Sequence, residues 1–108
     1  MINVYIRKSG CFNEIEARGH AEYAPIGQDI VCSAFSMLIY TLLSYFDKYP
    51  EKARVYKDRV SSGNICIGFN SLHNDIDVVF ECVLNGLLVL SEQYPNNIDI
   101  HGNYSESK

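Results

Sequence analysis

Residues 19–36 read GHAEYAPIGQDIVCSAFS and separate a strand pattern that precedes them from a helical pattern that follows. His20 stands where the predicted second strand ends, and a loop punctuated by a proline and a glycine comes after it. Asp29 is a good helix N-cap, because its carboxylate can accept hydrogen bonds from the free amides of a first helical turn. Cys32 falls within that turn. The stretch therefore predicts a histidine and a cysteine delivered from two adjoining elements.

Before this stretch, apolar and polar residues alternate in a way that is typical of half-buried strands. The first alternation covers residues 2–8 and the second covers residues 14–20. Ser9-Gly10 between them is a turn signal, since glycine readily adopts positive φ. We expect an antiparallel hairpin that ends at His20.

After this stretch, apolar residues recur every three or four positions, which predicts a helix from Ile30 to about Tyr49-Pro50. Its stripe consists of Val31, Phe35, Leu38, Leu42 and Phe46, broadened by Ile30, Ala34, Ile39 and Leu43. Residues 54–60 form a polar strand, which we place at an edge of the sheet. Residues 65–69 form a more buried strand.

A second helix is predicted to begin with Asn74 as its cap and to end near Tyr94-Pro95. A short last strand follows at residues 98–100. The order β-β-α-β-β-α-β predicts an α+β fold with two layers, in which both helices pack on one face of a mainly antiparallel sheet. We expect a single domain over residues 1–102 and a polar tail over residues 103–108.

Composition and charge exclude several classes of protein. The 108-residue chain has a net charge of −4, which argues against direct binding of nucleic acid through its phosphates. The first residues lack the order of a signal peptide, and we expect neither a membrane span nor a membrane partner, which places the protein in the cytoplasm. The four cysteines form no C-x-x-C pair, so we expect no metal site and no cofactor.

Cys32 has two interpretations. A free cysteine on an apolar helix is usually a small buried hydrophobic residue. However, the amides and the positive dipole end of a first helical turn favour a thiolate. Cys32 is also offset from the apolar stripe, on a face with Ser36 and Ile39.

His20 could take the proton of Cys32 and later donate it to a leaving amine. Asp29 either only caps its helix or also orients His20, and Ser36 either hydrogen-bonds in the site or bonds back to a helix carbonyl. The first-turn amides of Cys32 and Ser33 are candidate donors to an oxyanion. From spacing alone the pattern indicates a thiol-dependent hydrolase or acyltransferase.

The complete string is more specific than the spacing. Gly19-His20-Ala21, Tyr23-Ala24, Gly27, Asp29 to Ala34, and then Ser36 and Leu38 resemble the signature of the Prp family of ribosomal-processing cysteine proteases (YsxB-like proteins). The resemblance extends over essentially the whole chain. It implies that His20 is the catalytic histidine, that Cys32 is the nucleophile, and that Asp29 and Ser36 support them.

The resemblance also implies a substrate and a partner. Members of the family are small cytoplasmic endopeptidases that remove the N-terminal extension of a large-subunit ribosomal protein by cutting after an aromatic residue. They are homodimers, and a mobile loop between the histidine and the cysteine covers the substrate. In this chain Gly19 and Gly27 are candidate hinges of that loop. Tyr23, Ile26 and Phe35 are candidate walls for the aromatic residue, with loop packing or core packing as the equal alternative for each.

Departures from the family pattern are small. Glu22 and Ser33 stand where smaller or less polar residues are expected, and Glu22 could tune substrate preference at the loop. A hypothesis of another class is a non-catalytic, ribosome-associated assembly module in which Cys32 is merely packed. The pH dependence of thiol alkylation distinguishes this module from a protease.

Overall fold

The computed structural model describes residues 1–25 and 27–102. Ile26 and the predicted tail at 103–108 lie outside the described residues. The elements are β1 (Ile2–Ser9), β2 (Phe12–Arg18), α1 (Ile30–Lys48), β3 (Ala53–Ser61), β4 (Asn64–Ser71), α2 (Asn74–Gln93) and β5 (Ile98–Gly102). The predicted order β-β-α-β-β-α-β is confirmed.

The five strands form one sheet in the order β3-β4-β2-β1-β5. β1 pairs with β2, β2 with β4 and β3 with β4 in antiparallel fashion, whereas β1 and β5 are parallel. The sheet is therefore mainly antiparallel, as predicted, with one parallel pair, because α2 carries the chain back before β5 begins. The polar strand β3 lies at an edge, also as predicted.

One face of the sheet is apolar because the buried residues of neighbouring strands are in register. Val4 pairs with Ala17, and Ile15 pairs with Ile6 on one side and with Ile67 on the other. These side chains are at most 2% exposed and belong to the same core as the buried stripes of both helices. The opposite face carries ion pairs such as Arg7 with Glu14 and Glu16. This difference between faces explains why both helices pack on one side.

The buried stripe of α1 differs slightly from the prediction. Ile39 is fully buried and takes the central position, whereas Leu38 is only partly buried and Ile30 is 54% exposed. By length and composition α1 could cross a membrane, contrary to the expectation that no segment qualifies. Its stripe of Val31, Phe35, Ile39, Leu42 and Phe46 packs in the core, whereas Ile30, Met37 and Tyr40 are more than half exposed.

The start of α2 also differs from the prediction. His73, not Asn74, is the N-cap, and its Nδ1 accepts a hydrogen bond of 3.1 Å from the amide of Asp75. Asn74 is already the first helical residue. Imidazole nitrogen can replace the usual cap oxygen, because the neutral ring offers one acceptor.

Candidate active site

The exit from β2 is a point of close backbone approach. The strand ends at Arg18, two residues before the predicted end at His20, because Gly19 leaves the sheet with φ of +98°. The Gly19 amide donates to the carbonyl of Gly63 at 3.0 Å, and a side chain at Gly19 would collide with the carbonyl oxygen of Met1. Gly19 is therefore needed for this close packing, and its role as a hinge stays a prediction.

His20 lies next to the turn between β3 and β4. A Cβ placed on Gly63 would lie 2.8 Å from Nε2 of His20, so the ring rests directly against this glycine. The histidine is exposed. Among the described residues no hydrogen bond joins His20 to Cys32, and the two side chains instead meet the same cavity.

Cys32 lies in the first turn of α1, as predicted, and is partly buried against the core. Its Sγ accepts a hydrogen bond from the amide of Ala21 at 3.4 Å. Ala21 directly follows His20, so this hydrogen bond places the residue next to the histidine in contact with the thiol. The exit of β2 and the start of α1 are thereby joined.

A cavity of about 1020 Å³ lies between the exit of β2, the β3–β4 turn and the start of α1. Its lining includes most of the predicted site residues, namely Gly19, His20, Gly27, Asp29, Cys32, Ser33, Phe35 and Ser36. The apolar part of the lining also includes Ile2, Ala17, Ile39, Tyr40, Val60 and Ile65. Serine and asparagine side chains of the β3–β4 turn add a polar edge at Ser61, Ser62 and Asn64.

Asp29 caps α1 and ties down the loop. Its Oδ1 accepts hydrogen bonds from the amides of Val31 and Cys32 at 3.0 and 2.9 Å, and Oδ2 accepts one from Tyr23 at 3.0 Å. Burial acts to raise the pKa of Asp29, but the amides of Cys32, Tyr23 and Ala24 and the nearby thiol together hold this pKa below its ordinary value. Both carboxylate oxygens are thus engaged by backbone amides, and neither is hydrogen-bonded to His20 in the described part of the chain.

The predicted oxyanion donors are not free. The amide of Cys32 donates to the Asp29 carboxylate, and the amide of Ser33 donates to the Asp29 carbonyl at 3.1 Å. In this structure Asp29 takes both amides, so their predicted role as oxyanion donors would require the cap to release them. The prediction of Asp29 as the N-cap is confirmed. A capping carboxylate accepts hydrogen bonds from first-turn amides, so the cap competes with an oxyanion for the same donors.

The predicted loop residues behave differently from one another. Tyr23 is not among the described residues that line the cavity, and its ring packs edge-on against Tyr94 at 5.4 Å between centroids. Gly27 has φ of +90° and open space where a Cβ would be. Ile26 lies outside the described residues. Ser36 lines the cavity one turn after Cys32, and its hydroxyl makes no hydrogen bond within the described part of the chain.

Two contributors to the site were missed in the sequence. They are Gly63, in the turn between β3 and β4, and Asn97, in the turn before β5. Asn97 Nδ2 donates to the carbonyl of Ala21 at 2.9 Å, across 76 positions. No local pattern could have revealed these contacts, because sheet order alone brings both turns beside residues 19–21.

Comparison with known proteins adds the family. The family model of the cysteine protease Prp matches residues 1–99. The ribosomal processing cysteine protease Prp of Mycoplasma genitalium is 29% identical over 89 residues, which cover 82% of this chain and 87% of that protein.

Solved structures show the same fold. The ribosomal processing protease Prp from S. aureus with a covalently linked product peptide superposes with a TM-score of 0.82 at 22% identity, covering 95% of this chain and all of that chain. The same enzyme with a substrate peptide gives a TM-score of 0.74 at 20% identity, with the same coverage. Since the family model spans nearly the whole sequence, this chain belongs to the cysteine protease Prp family.

Proposed function

We propose that this protein removes the N-terminal extension of a large-subunit ribosomal protein by cleaving after an aromatic residue, with Cys32 as nucleophile and His20 as its acid–base partner. One observation carries the assignment of residues. In a chain of the Prp family, His20 and Cys32 line one cavity, with the residue after His20 hydrogen-bonded to the sulfur of Cys32.

The first half of the reaction forms a thioester. His20 takes the proton of the Cys32 thiol, and the sulfur attacks the scissile carbonyl carbon, so that the π electrons move onto oxygen. When this oxyanion collapses, the carbon–nitrogen bond breaks and the leaving amine takes the proton from His20. The products of this half are the released C-terminal fragment and a thioester between Cys32 and the extension.

The second half restores the enzyme. His20 takes a proton from a water molecule, which attacks the thioester carbonyl. The carbon–sulfur bond then breaks, the sulfur leaves as a thiolate that takes the proton back from His20, and the extension is released as a carboxylic acid. His20 is exposed, so water can reach it.

The cavity suits a substrate with an aromatic side chain. Its apolar lining, which includes Phe35, Tyr40 and Ile65, offers contact area beside the thiol. Prp from S. aureus has been solved with a substrate peptide and with a covalently linked product peptide, which supports peptide binding at the corresponding place in this chain. Phe35 remains our candidate wall from the sequence, and Tyr40 is added by the structure.

We extend the proposal to assembly and location: the protein is a homodimer and acts in the cytoplasm. Light scattering coupled to gel filtration would measure the mass in solution against the 12.2 kDa of one chain. Cell fractionation would locate the protein. A monomer mass at micromolar concentration, or recovery in the membrane fraction, would contradict these two points.

The decisive experiment measures cleavage of a peptide that spans the junction of the ribosomal extension. We expect Cys32→Ala to abolish cleavage and His20→Ala to reduce the rate by roughly a thousandfold. Cys82→Ala is the matched control, because Cys82 is exposed on α2 and outside the cavity lining. Unchanged cleavage by Cys32→Ala would exclude this nucleophile.

The same assay separates the other hypotheses. A folded wild-type protein that cleaves nothing and has an unreactive Cys32 would support the non-catalytic assembly module. An acyltransferase would pass the peptide to an added amine in preference to water, and mass spectrometry would detect the amide product.

A further inference from the structure

Asn97 lies in the turn between α2 and β5, far in sequence from the proposed catalytic residues. Its own backbone is fixed on both sides. The amide of Asn97 donates to the carbonyl of Tyr94 at 3.0 Å, and its carbonyl accepts from the amide of Ile2 at 2.9 Å. The side chain therefore projects from a rigid turn, and it donates through Nδ2 to the carbonyl of Ala21 at 2.9 Å.

Ala21 is held between this contact and the sulfur of Cys32. It is only 1% exposed. Its carbonyl receives the hydrogen bond from Asn97, while its amide donates to Cys32 Sγ at 3.4 Å. Fixing the carbonyl restricts rotation of the residue as a whole, so the amide keeps its direction toward the sulfur.

The amide of Ala21 matters because the helix start cannot supply the same donation. The amides of Val31 and Cys32 donate to the carboxylate of Asp29, and that of Ser33 donates to the Asp29 carbonyl. The charge of Asp29 also lies close to Cys32 and opposes a second negative charge there. In the described part of the chain, the amide that faces the sulfur is that of Ala21.

We propose that Asn97 is a positioning residue for the proposed protease reaction. It holds Ala21 so that the Ala21 N–H stabilises the Cys32 thiolate and, after attack, the oxyanion that forms beside the sulfur. The inference rests on the proposed function for its catalytic consequence, whereas its effect on the thiol is independent of any substrate.

The experiment compares Asn97→Asp and Asn97→Ala with Asn96→Ala. Aspartate has the shape of asparagine but places an oxygen, not a donor, against the Ala21 carbonyl. Asn96 is the exposed neighbour in the same turn, and its side chain makes none of the hydrogen bonds found in the described residues. Thermal melting confirms that each variant is folded.

The first readout is alkylation of Cys32 by iodoacetamide as a function of pH. The thiolate displaces iodide, and mass spectrometry of the peptide that contains Cys32 distinguishes it from the exposed Cys11 and Cys82. We expect both Asn97 variants to need a higher pH for half-maximal rate and to react roughly five- to tenfold more slowly near neutral pH, which is the loss of about one hydrogen bond. Asn96→Ala should match the wild type.

The second readout is peptide cleavage. We expect kcat to fall roughly five- to tenfold in both Asn97 variants with KM nearly unchanged, because the lost interaction acts on the reacting atoms. A purely structural role would lower the melting temperature and leave the alkylation profile of the folded protein unchanged, and that result would overturn the proposal.

Two further outcomes keep the inference distinct from the proposed function. If Cys32→Ala still cleaves the peptide, the proposed function fails, while alkylation still tests the link between Asn97 and the thiol. If both Asn97 variants fail to fold, Asn97→Ser, which keeps a shorter donor, is measured in their place. A wild-type alkylation profile for Asn97→Ser would refute the proposal, because the hydroxyl cannot reach Ala21 in the same geometry.

Discussion

The chain contains two consecutive ββα units, β1-β2-α1 and β3-β4-α2, and they end in the same way. α1 has 19 residues and α2 has 20, and each is followed by a Tyr-Pro pair. The amides of Tyr49 and Tyr94 both donate to the carbonyl four residues earlier. The units differ in what joins the hairpin to the helix, and the proposed site lies where they differ.

The connection to α1 spans residues 19–29, whereas that to α2 is only Leu72 and His73. α1 starts at a buried carboxylate and has no acidic residue in its first turn. α2 starts at the imidazole of His73 and has Asp75 and Asp77 in its first turn. In α1 the acidic residue is the cap itself, Asp29, and no acidic side chain stands in the first turn, where the thiol of Cys32 lies.

The hairpin turns differ as well. Gly10 between β1 and β2 has φ of +61°, and Gly63 between β3 and β4 has φ of +75°. Space is open around Gly10. Gly63, in contrast, touches His20, and its carbonyl accepts a hydrogen bond from the amide of Gly19. The first unit supplies the reactive residues, and the turn of the second unit supports one of them.

The largest effect is expected for Asp29→Ala, which breaks the cap of α1. The variant loses three hydrogen bonds to the backbone, so we expect the free energy of unfolding to fall by about 2 kcal/mol. Cleavage should fall at least roughly a hundredfold, because the loop and the helix start shift together. Denaturant unfolding and peptide cleavage measure both quantities.

Asp75→Ala is the control for this variant on α2. The carboxylate of Asp75 is about half exposed and pairs with Lys52 at 2.7 Å. We expect cleavage to stay within about twofold of the wild type, since neither residue of the pair lines the cavity. If Asp29→Ala and Asp75→Ala lose activity equally, the start of α1 is no more important for cleavage than the start of α2.

The next effect is expected for Gly63→Ala compared with Gly10→Ala. Alanine with positive φ should cost about 1 kcal/mol of stability at either turn. Only at Gly63 would the new Cβ meet His20, so we expect cleavage to fall roughly tenfold there and to stay near the wild type for Gly10→Ala. If both variants lose activity equally, the contact with His20 has no role.

The acid dependence of stability sharpens the comparison further. The folded pKa of Asp29 lies below its ordinary value of 3.8, so its stabilisation is complete above that value and is lost as the pH falls through the folded pKa. The Asp29→Asn variant lacks this pH-dependent part of the free energy of unfolding. We therefore expect the stability difference between wild type and Asp29→Asn to shrink below about pH 4, as measured by denaturant unfolding.

Asp75→Asn gives the contrasting case. A hydrogen bond from Lys52 is the main cause that lowers the pKa of Asp75. Because the Asp75 carboxylate is about half exposed, 1 M salt should weaken its acid-dependent component. The component of Asp29 should persist, because Asp29 is buried and backbone amides hold its charge. If 1 M salt also removes the acid-dependent stability that Asp29 contributes, the backbone amides are not what holds its charge.

The smallest effects are expected when first-turn charge is exchanged between the helices. Asp77→Ser should destabilise α2 by about 0.5 kcal/mol and leave cleavage unchanged. Ser33→Asp should slow alkylation of Cys32, because a negative charge then lies beside the thiolate. Faster alkylation of Cys32 in this variant would show that first-turn charge does not govern the thiol.

The element order, the edge position of β3, the cap at Asp29 and the place of Cys32 in the first turn were all readable from the sequence. Each rests on a local rule: alternation, three-to-four spacing, or the preference of a cap for a side chain that accepts hydrogen bonds. The candidate pair His20 and Cys32 was also readable from the sequence, because both residues lie within the one stretch of residues 19–36.

The tertiary structure decided which groups are free to act. It showed that Asp29 occupies the amides that had been expected to hold an oxyanion, that Gly63 supports His20, and that Asn97 holds Ala21 against the thiol. These contacts join residues 43 and 76 positions apart or depend on which acceptor each amide finds. Strand order and turn placement determine them, and neither is encoded in a local pattern.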